Sequence, residues 1–308
     1  MRTLVRPPAL HPGAQIYVAS PASAPESERL DRGLKELVRL GYLTARYSGP
    51  SDAEGYFARP LEDRMDELKT ALGRPEWRAI FCSRGGYGAN YLLDPLDSQR
   101  STAPKILLGY SDITSLEIFL WQKHGWVTFY GPMVAAGFEA GAGVGYDTDS
   151  FTRAVAETRS GWSVHLQAEA LVAGDAEGVL LGGCLTLVEA TLGTPWELDT
   201  DGAILVLEDR AVKAYQLDRM LMHLKQAGKF AGVRGIVLGE FPDSPPVAGA
   251  PGLRDVSWRI LGELGVPIVW GAAVGHTPRP MLTLPLGVRA RLRTAPAELD
   301  ILEPAVTA

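Results

Sequence analysis

In the first half of the chain, short runs of apolar residues alternate with longer stretches in which apolar positions recur every three or four residues. "AQIYVAS" reads as a buried strand, and "ESERLDRGLKELVRLG" as a helix with Leu30, Leu34, Leu37 and Val38 on one face and Gly41 as its C′ stop. Next come the helix "RMDELKTAL", the strand "AIFCS", a glycine-rich loop "RGGYG", and the strand "KILLGY" running straight into the helical pattern "SDITSLEIFLWQKHG". "WVTFYGP" closes the series. Strands and helices alternating at this spacing predict βαβ units and a mainly parallel sheet.

The pattern breaks at "GFEAGAGVGYDTDS", which is rich in Gly, Asp and Ser and has no sustained period, so a linker is expected to start there. The second half resumes with "GVLLGGCLTLVEATLG", the strand "AILVLE", the helix "YQLDRMLMHLKQAG", the strand "GIVLGEF", a helix around "DVSWRILGELG" and the strand "PIVWGAAVGH". Leu217, Met220, Leu221 and Leu224 form the core-facing stripe of the first of these helices. "VRARLRTAPAELDILEP" reads as a terminal hairpin. The expected organisation is an N-terminal α/β domain over 12–137, a linker over 138–176 and a C-terminal α/β domain over 177–304.

Composition narrows the function classes. With 308 residues, 46% hydrophobic and 21% charged, the chain suits one large or two ordinary globular domains with a full core. The net charge of −6 and the absence of a Lys/Arg block argue against nucleic acid or an anionic membrane as partner. No apolar run is long enough to span a bilayer, and the opening "MRTLVRPPALHPGAQ" is interrupted by Arg6, Pro7, Pro8 and Pro12, so a cytoplasmic protein is expected. The two cysteines, Cys82 and Cys184, sit in apolar surroundings and read as reduced core thiols.

Ligands of open α/β sheets bind beyond the carboxyl ends of the strands, so polar residues there are the candidates for chemistry. Ser111 ends "KILLGY", Glu208 ends "AILVL", and His276 follows "PIVWGAAVG". These are the residue types of a serine-hydrolase triad, in which an imidazole takes the serine proton and a carboxylate orients the ring. The order Ser, Glu, His is one that such triads use. In "GYSDIT", Gly109 precedes the serine by two residues, and a tight strand-to-helix turn there would lift the Oγ out of the sheet. The second glycine of G-x-S-x-G is missing, and a serine on such a corner also serves as a plain helix cap. Among five histidines, His11, His124, His165 and His223 fall in an N-terminal segment, at a helix end, in the linker and on a helix, leaving His276 best placed. Asp209 is as well spaced as Glu208 to act as the orienting carboxylate.

The loop "SRGGYGAN" admits three readings: a phosphate cradle, half of an oxyanion hole, or a loop beside a nucleophilic Cys82. The dinucleotide and P-loop spacings are absent, and Cys82 continues an apolar strand. No zinc-like His/Cys spacing occurs, and neither a metal nor another cofactor is expected.

"FCSRGGYGANYLLDPLD", "PKILLGYSDITSL", "YGPM", "GGCLTL", "LGTPWE", "LED…YQLDRML" and "AVGH", in that order from Ile16 to Leu286, resemble the serine-type LD-carboxypeptidases, a family that also contains the microcin C self-immunity peptidases. The paired "RGGYG…GYSDIT" is the specific part. The resemblance implies a flavodoxin-like or amidotransferase-like N-terminal parallel-sheet domain, a smaller C-terminal α/β domain and an active site between them. It also implies a cytoplasmic homodimer that releases D-alanine from an L-centre in murein tetrapeptides during cell-wall recycling. Carried over by motif, Ser111 is the nucleophile, Glu208 the triad carboxylate and His276 the base, with the N–H groups of Gly86 and Asp112 as oxyanion donors.

Family members commonly have His where this chain has Tyr130, and Asn where it has Cys184; Arg210 and Lys213 stand in a stretch that is often acidic. These departures bear on the wall of the cleft and on substrate choice. An exopeptidase must also hold a terminal carboxylate, and Arg84 beside the glycine loop is a candidate partner, with a surface or interdomain ion pair as its other reading. The alternatives are an amidase acting on aminoacyl-nucleotide analogues and a nucleotide- or sugar-binding module without chemistry.

Overall fold

Alternation with period two decides which side of each strand meets which part of the core. In the computed structural model, which describes residues 3–47, 53–98 and 103–308, the first strand, β1 (Gln15–Ala19), turns Ile16 and Val18 to one face and Tyr17 and Ala19 to the other. Four further strands follow in register beside it: β2 (Leu43–Arg46), β3 (Ala79–Cys82), β4 (Ile106–Gly109) and β5 (Thr128–Tyr130). They lie in the order β2-β1-β3-β4-β5, all parallel, the order of a flavodoxin-like sheet. The connecting helices are α1 (Ser27–Arg39), α2 (Leu61–Gly73), α3 (Leu93–Asp97) and α4 (Thr114–His124). Gly41, at φ +90°, ends α1 as expected, but Val38 is exposed: the buried face is Leu30, Gly33 and Leu37, because Gly33 lies against the backbone of Val134.

The stretch 138–176, read above as a linker, is folded. Phe138, Tyr146 and Phe151 are buried and pack on one another and on Phe81 of β3. Asp147 caps α5 (Thr148–Ala156) by accepting the Ser150 N–H at 2.7 Å. Two four-residue strands follow, β6 (Trp162–His165) and β7 (Glu169–Val172), too short for a period to stand out in the sequence. They form the two edges of a second sheet.

The central strands of that sheet, β8 (Asp175–Cys184), β9 (Ala203–Glu208), β10 (Gly235–Gly239) and β11 (Ile268–Ala272), are connected by the helices α6 (Leu185–Ala190), α7 (Ala214–Gln226) and α8 (Leu253–Leu261). The chain then returns to the first sheet with β12 (Leu284–Leu286), antiparallel to β5, and ends in the expected hairpin of β13 (Arg289–Thr294) and β14 (Ala297–Ile301). The order is β6-β14-β13-β8-β9-β10-β11-β7, with only β8 to β11 parallel. On β9, Ile204 and Val206 join a core shared with the first sheet, while Leu205 and Leu207 pack under α6, α7 and α8. Each such side chain stabilises the fold by about 1.5–3 kcal/mol relative to exposure. The shared core holds the carboxyl end of β9 close to that of β4. Among the described residues no helix is long and apolar enough to cross a membrane.

Candidate active site

Ser111 stands where β4 turns into α4 through a single short 3-10 turn, Ser111–Ile113. Its φ is +63°, a conformation that costs a residue with a Cβ on the order of 1–3 kcal/mol and that clusters at functional corners. Glycine makes the corner feasible. A Cβ on Gly109 would lie 2.8–3.0 Å from the side chain of Ile113, and one on Gly85 would lie 2.9 Å from the Ser111 Cβ and 3.1 Å from its Oγ. The glycine loop is thus pressed against the serine, with the Asp112 amide nitrogen 3.4 Å from that same point.

Glu208 and His276 come together at the ends of β9 and β11. Glu208 is wholly buried, and its Oε2 accepts the His276 backbone N–H at 2.8 Å and the ring Nδ1 at 2.9 Å. With Nδ1–H donated to the carboxylate, the ring leaves Nε2 as the basic nitrogen. The other oxygen, Oε1, accepts the hydroxyl of Tyr130 at 2.5 Å. Glycine again makes the space: Gly275, at φ +62°, would place a Cβ 2.3 Å from the Glu208 Cδ, and Gly239 would place one 2.5 Å from its Cβ. Tyr110, the residue before Ser111, packs edge-on to the His276 ring at 5.1 Å between centroids. Asp209 has other work. Its carboxylate accepts the N–H and hydroxyl of Thr186 at 2.9 and 2.6 Å and the Arg210 N–H at 2.8 Å, tying β9 to the start of α6.

Ser111, His276, Gly86 and Arg84 line one cleft of about 450 Å³, together with Arg29 and Arg210. Arg29 pairs with Glu139 and Arg210 with Asp243, whereas Arg84 makes no ion pair among the described residues and donates only to the Ala24 carbonyl at 3.1 Å. Cys184 also lines the cleft, but burial pushes its thiol well above the ordinary range, as it does for Cys82, which is buried beneath the loop. Neither is a ready thiolate. Tyr130 does not line the cleft; it stands behind Glu208 in the core.

Two side chains whose roles no motif indicated hold the glycine loop in place. Arg64 of α2, 1% exposed, donates to the carbonyls of Pro21 at 2.7 Å and Gly88 at 2.9 Å. Asp112 accepts the Ala89 N–H at 2.8 Å, joining the serine corner to the far end of the loop. Burial raises the Asp112 carboxyl from 3.8 to about 6, against the opposing pull of the Ala89 N–H and the Arg64 charge. An arginine on a helix reads as solvated, so the sequence carried no signal for Arg64; Asp112 stood out only through its backbone.

Two outcomes follow from this geometry. Gly275→Ala should lower turnover by at least about a hundred-fold, since Glu208 must move, while Gly271→Ala is the control for strain alone. Gly271 has φ +82° and room for a Cβ, and its variant should keep most activity. For Asp112, between pH 3.8 and about 6 the unfolded chain has lost a proton that the native chain retains, so the group's contribution to stability falls as pH rises through that window. Thermal melts of Asp112→Asn should therefore gain on wild type from about pH 4 to pH 6; a pH-independent difference would contradict the buried carboxyl.

Models of the LD-carboxypeptidase N-terminal domain and C-terminal domain match residues 16–131 and 177–292. The "probable murein peptide carboxypeptidase" of Bacillus subtilis is 34% identical over 94% of this chain and 92% of its own. The microcin C7 self-immunity protein of Escherichia coli is 28% identical over 92% and 91%. The solved muramoyltetrapeptide carboxypeptidase of Oxalobacter formigenes superposes with a TM-score of 0.84, at 28% identity, over 96% of this chain and 100% of that one. The chain therefore belongs to the LD-carboxypeptidase family, in its two-domain α/β fold.

Proposed function

We propose that this protein is a serine carboxypeptidase that releases the C-terminal D-amino acid, D-alanine, from the L-centre preceding it in murein tetrapeptides, during cell-wall recycling. The observation that carries the reading is the meeting, on one cleft, of a serine held at positive φ and a histidine whose Nδ1 is bonded to a buried glutamate. The carboxypeptidase is preferred to the self-immunity amidase on two grounds: 34% against 28% identity to the respective relatives, and the Arg84 guanidinium at the cleft, which makes no ion pair among the described residues.

In this mechanism the Ser111 Oγ attacks the scissile carbonyl carbon while Nε2 of His276 takes its proton. The carbonyl electron pair moves onto oxygen, where the N–H groups of Gly86 and Asp112 receive it. When the tetrahedral species collapses, the C–N bond breaks and His276 returns the proton to the departing D-alanine nitrogen. Water then attacks the Ser111 ester by the same route and restores the serine. Glu208 holds the ring and stabilises its protonated form throughout. Arg84 binds the carboxylate of the leaving residue through parallel N–H···O bonds.

Ser111→Ala and His276→Ala should each lower turnover by roughly 10⁴-fold or more, and the double variant should be little worse than either, because the two act as one unit. Losses that multiply would count against the triad, and retention of more than about a tenth of wild-type turnover in Ser111→Ala would rule out covalent catalysis there.

Substrate choice is tested with an L,D-tetrapeptide, its C-terminal amide and an aminoacyl-sulfamoyl nucleotide. The free tetrapeptide should be cleaved fastest, and Arg84→Ala should raise its KM by roughly ten- to a hundred-fold with little effect on the amide. Equal cleavage of acid and amide would refute the carboxylate requirement. Faster cleavage of the nucleotide conjugate would assign the self-immunity activity, and absence of any turnover with an unreactive serine would leave a binding module.

A further inference from the structure

We propose that Tyr130 is a positioning residue of the active site, whose hydroxyl fixes the rotamer of Glu208 and sets the basicity of the Glu208–His276 pair. The inference rests on the triad reading above and adds a fourth group to it.

Glu208 has two oxygens and divides them. Oε2 takes both bonds from His276, the backbone N–H and Nδ1. Oε1 takes the hydroxyl of Tyr130, which comes from the last residue of β5 in the other sheet. The contact from Oε1 to Nδ1 is longer, 3.3 Å against 2.9 Å, so the phenol keeps Oε1 and leaves Oε2 to the ring. Without the phenol, a fully buried carboxylate loses a donor and gains freedom to rotate, and both oxygens can compete for Nδ1. A carboxylate stripped of a donor is also more basic, so the pair takes up a proton more readily.

Tyr130 is suited to donating and to nothing else. It is completely buried, and burial, followed by the Glu208 charge, holds its hydroxyl well above the ordinary value of 10.0, so it remains a protonated phenol. It does not line the cleft, which separates this role from substrate contact. Titratable and charged groups facing the pair include Tyr110, Cys184 and Asp209 around Glu208 and His276, Glu117 of α4 toward Tyr130, and Glu26, Arg29, Arg84 and Arg210 on the cleft beside His276. Burial raises the carboxyls of Glu117 and Asp209 and the Cys184 thiol, and it is the largest cause of the Tyr110 hydroxyl's rise, ahead of the Glu208 charge. None of the four is a second donor to Oε1 among the described bonds.

The test is the pH dependence of Ser111 phosphonylation by a fluorophosphonate probe, which needs no assumption about the natural substrate. In Tyr130→Phe the plateau rate should fall roughly ten- to a hundred-fold, the size expected for one lost bond to a charged group, and the acid limb should move to higher pH. With the murein tetrapeptide, kcat should fall and KM should stay. A plateau unchanged, or lowered with the limb unmoved, in a variant that melts like wild type would overturn the proposal, because packing alone would give that result. If Tyr130→Phe does not fold, 3,5-difluorotyrosine at position 130 keeps the shape and strengthens the donor; the limb should then move to lower pH, and an unmoved limb would overturn the proposal. A wild-type chain that the probe does not label at all would sink the triad reading and this inference with it, whereas labelling of both proteins with one pH profile would sink the inference alone.

Discussion

The candidate active site is arranged around one carboxylate, Glu208, that has no exposed surface. Taking a carboxylate out of water costs several kcal/mol unless donors replace the lost hydration. Glu208 meets that demand with the backbone and ring of His276 on one side and the hydroxyl of Tyr130 on the other. The donors come from different sheets, so the carboxylate is satisfied only where the two sheets meet. Even the backbone defers to it: Gly239 and Gly275 are the only size of residue that fits at their positions, and Gly275 also adopts a positive φ that hands His276 to the cleft.

The same seam places Ser111, the proposed nucleophile. Thr114, in the first turn of α4, accepts the Cys184 N–H at 3.1 Å, and a Cβ on Gly183 would sit 2.7 Å from the Thr114 side chain. Ile118, one turn further, packs into the core under α7 and α8. The helix that begins beside Ser111 is therefore docked on the second sheet, which fixes the serine corner relative to the histidine loop. Tyr110 completes the register by lying against His276. A strained corner can persist only when its surroundings over-determine it, and here the glycine loop, α4 and the second sheet all do so.

Much of this was legible from residue order alone. Long apolar runs such as "AILVLE" and "GIVLGEF" marked strands, and the corner at Ser111 stood out because a strand met a helix with no loop between them. Spacing could not separate Glu208 from Asp209, since neighbours at a strand end point to opposite sides; the structure turns one toward His276 and the other toward Thr186. The folded segment 138–176 carries no clear periodic signal, because its helix and two edge strands are short and its anchors, Phe138, Tyr146 and Phe151, are spread among glycines. Arg64 was opaque, and Tyr130 was visible only as a departure from the family's His, for another reason. Their partners are backbone carbonyls and a carboxylate far away in the chain, and no local pattern encodes such contacts.

The central claim is the bond between the Glu208 carboxylate and the Nδ1–H of His276, and proton NMR reads it directly. A hydrogen held between an imidazole nitrogen and a buried carboxylate resonates far downfield of ordinary amides and exchanges slowly with water. The account predicts one such resonance in the wild-type protein, lost in both His276→Ala and Glu208→Gln. Its absence from the folded wild type, or its survival in Glu208→Gln, would contradict the account.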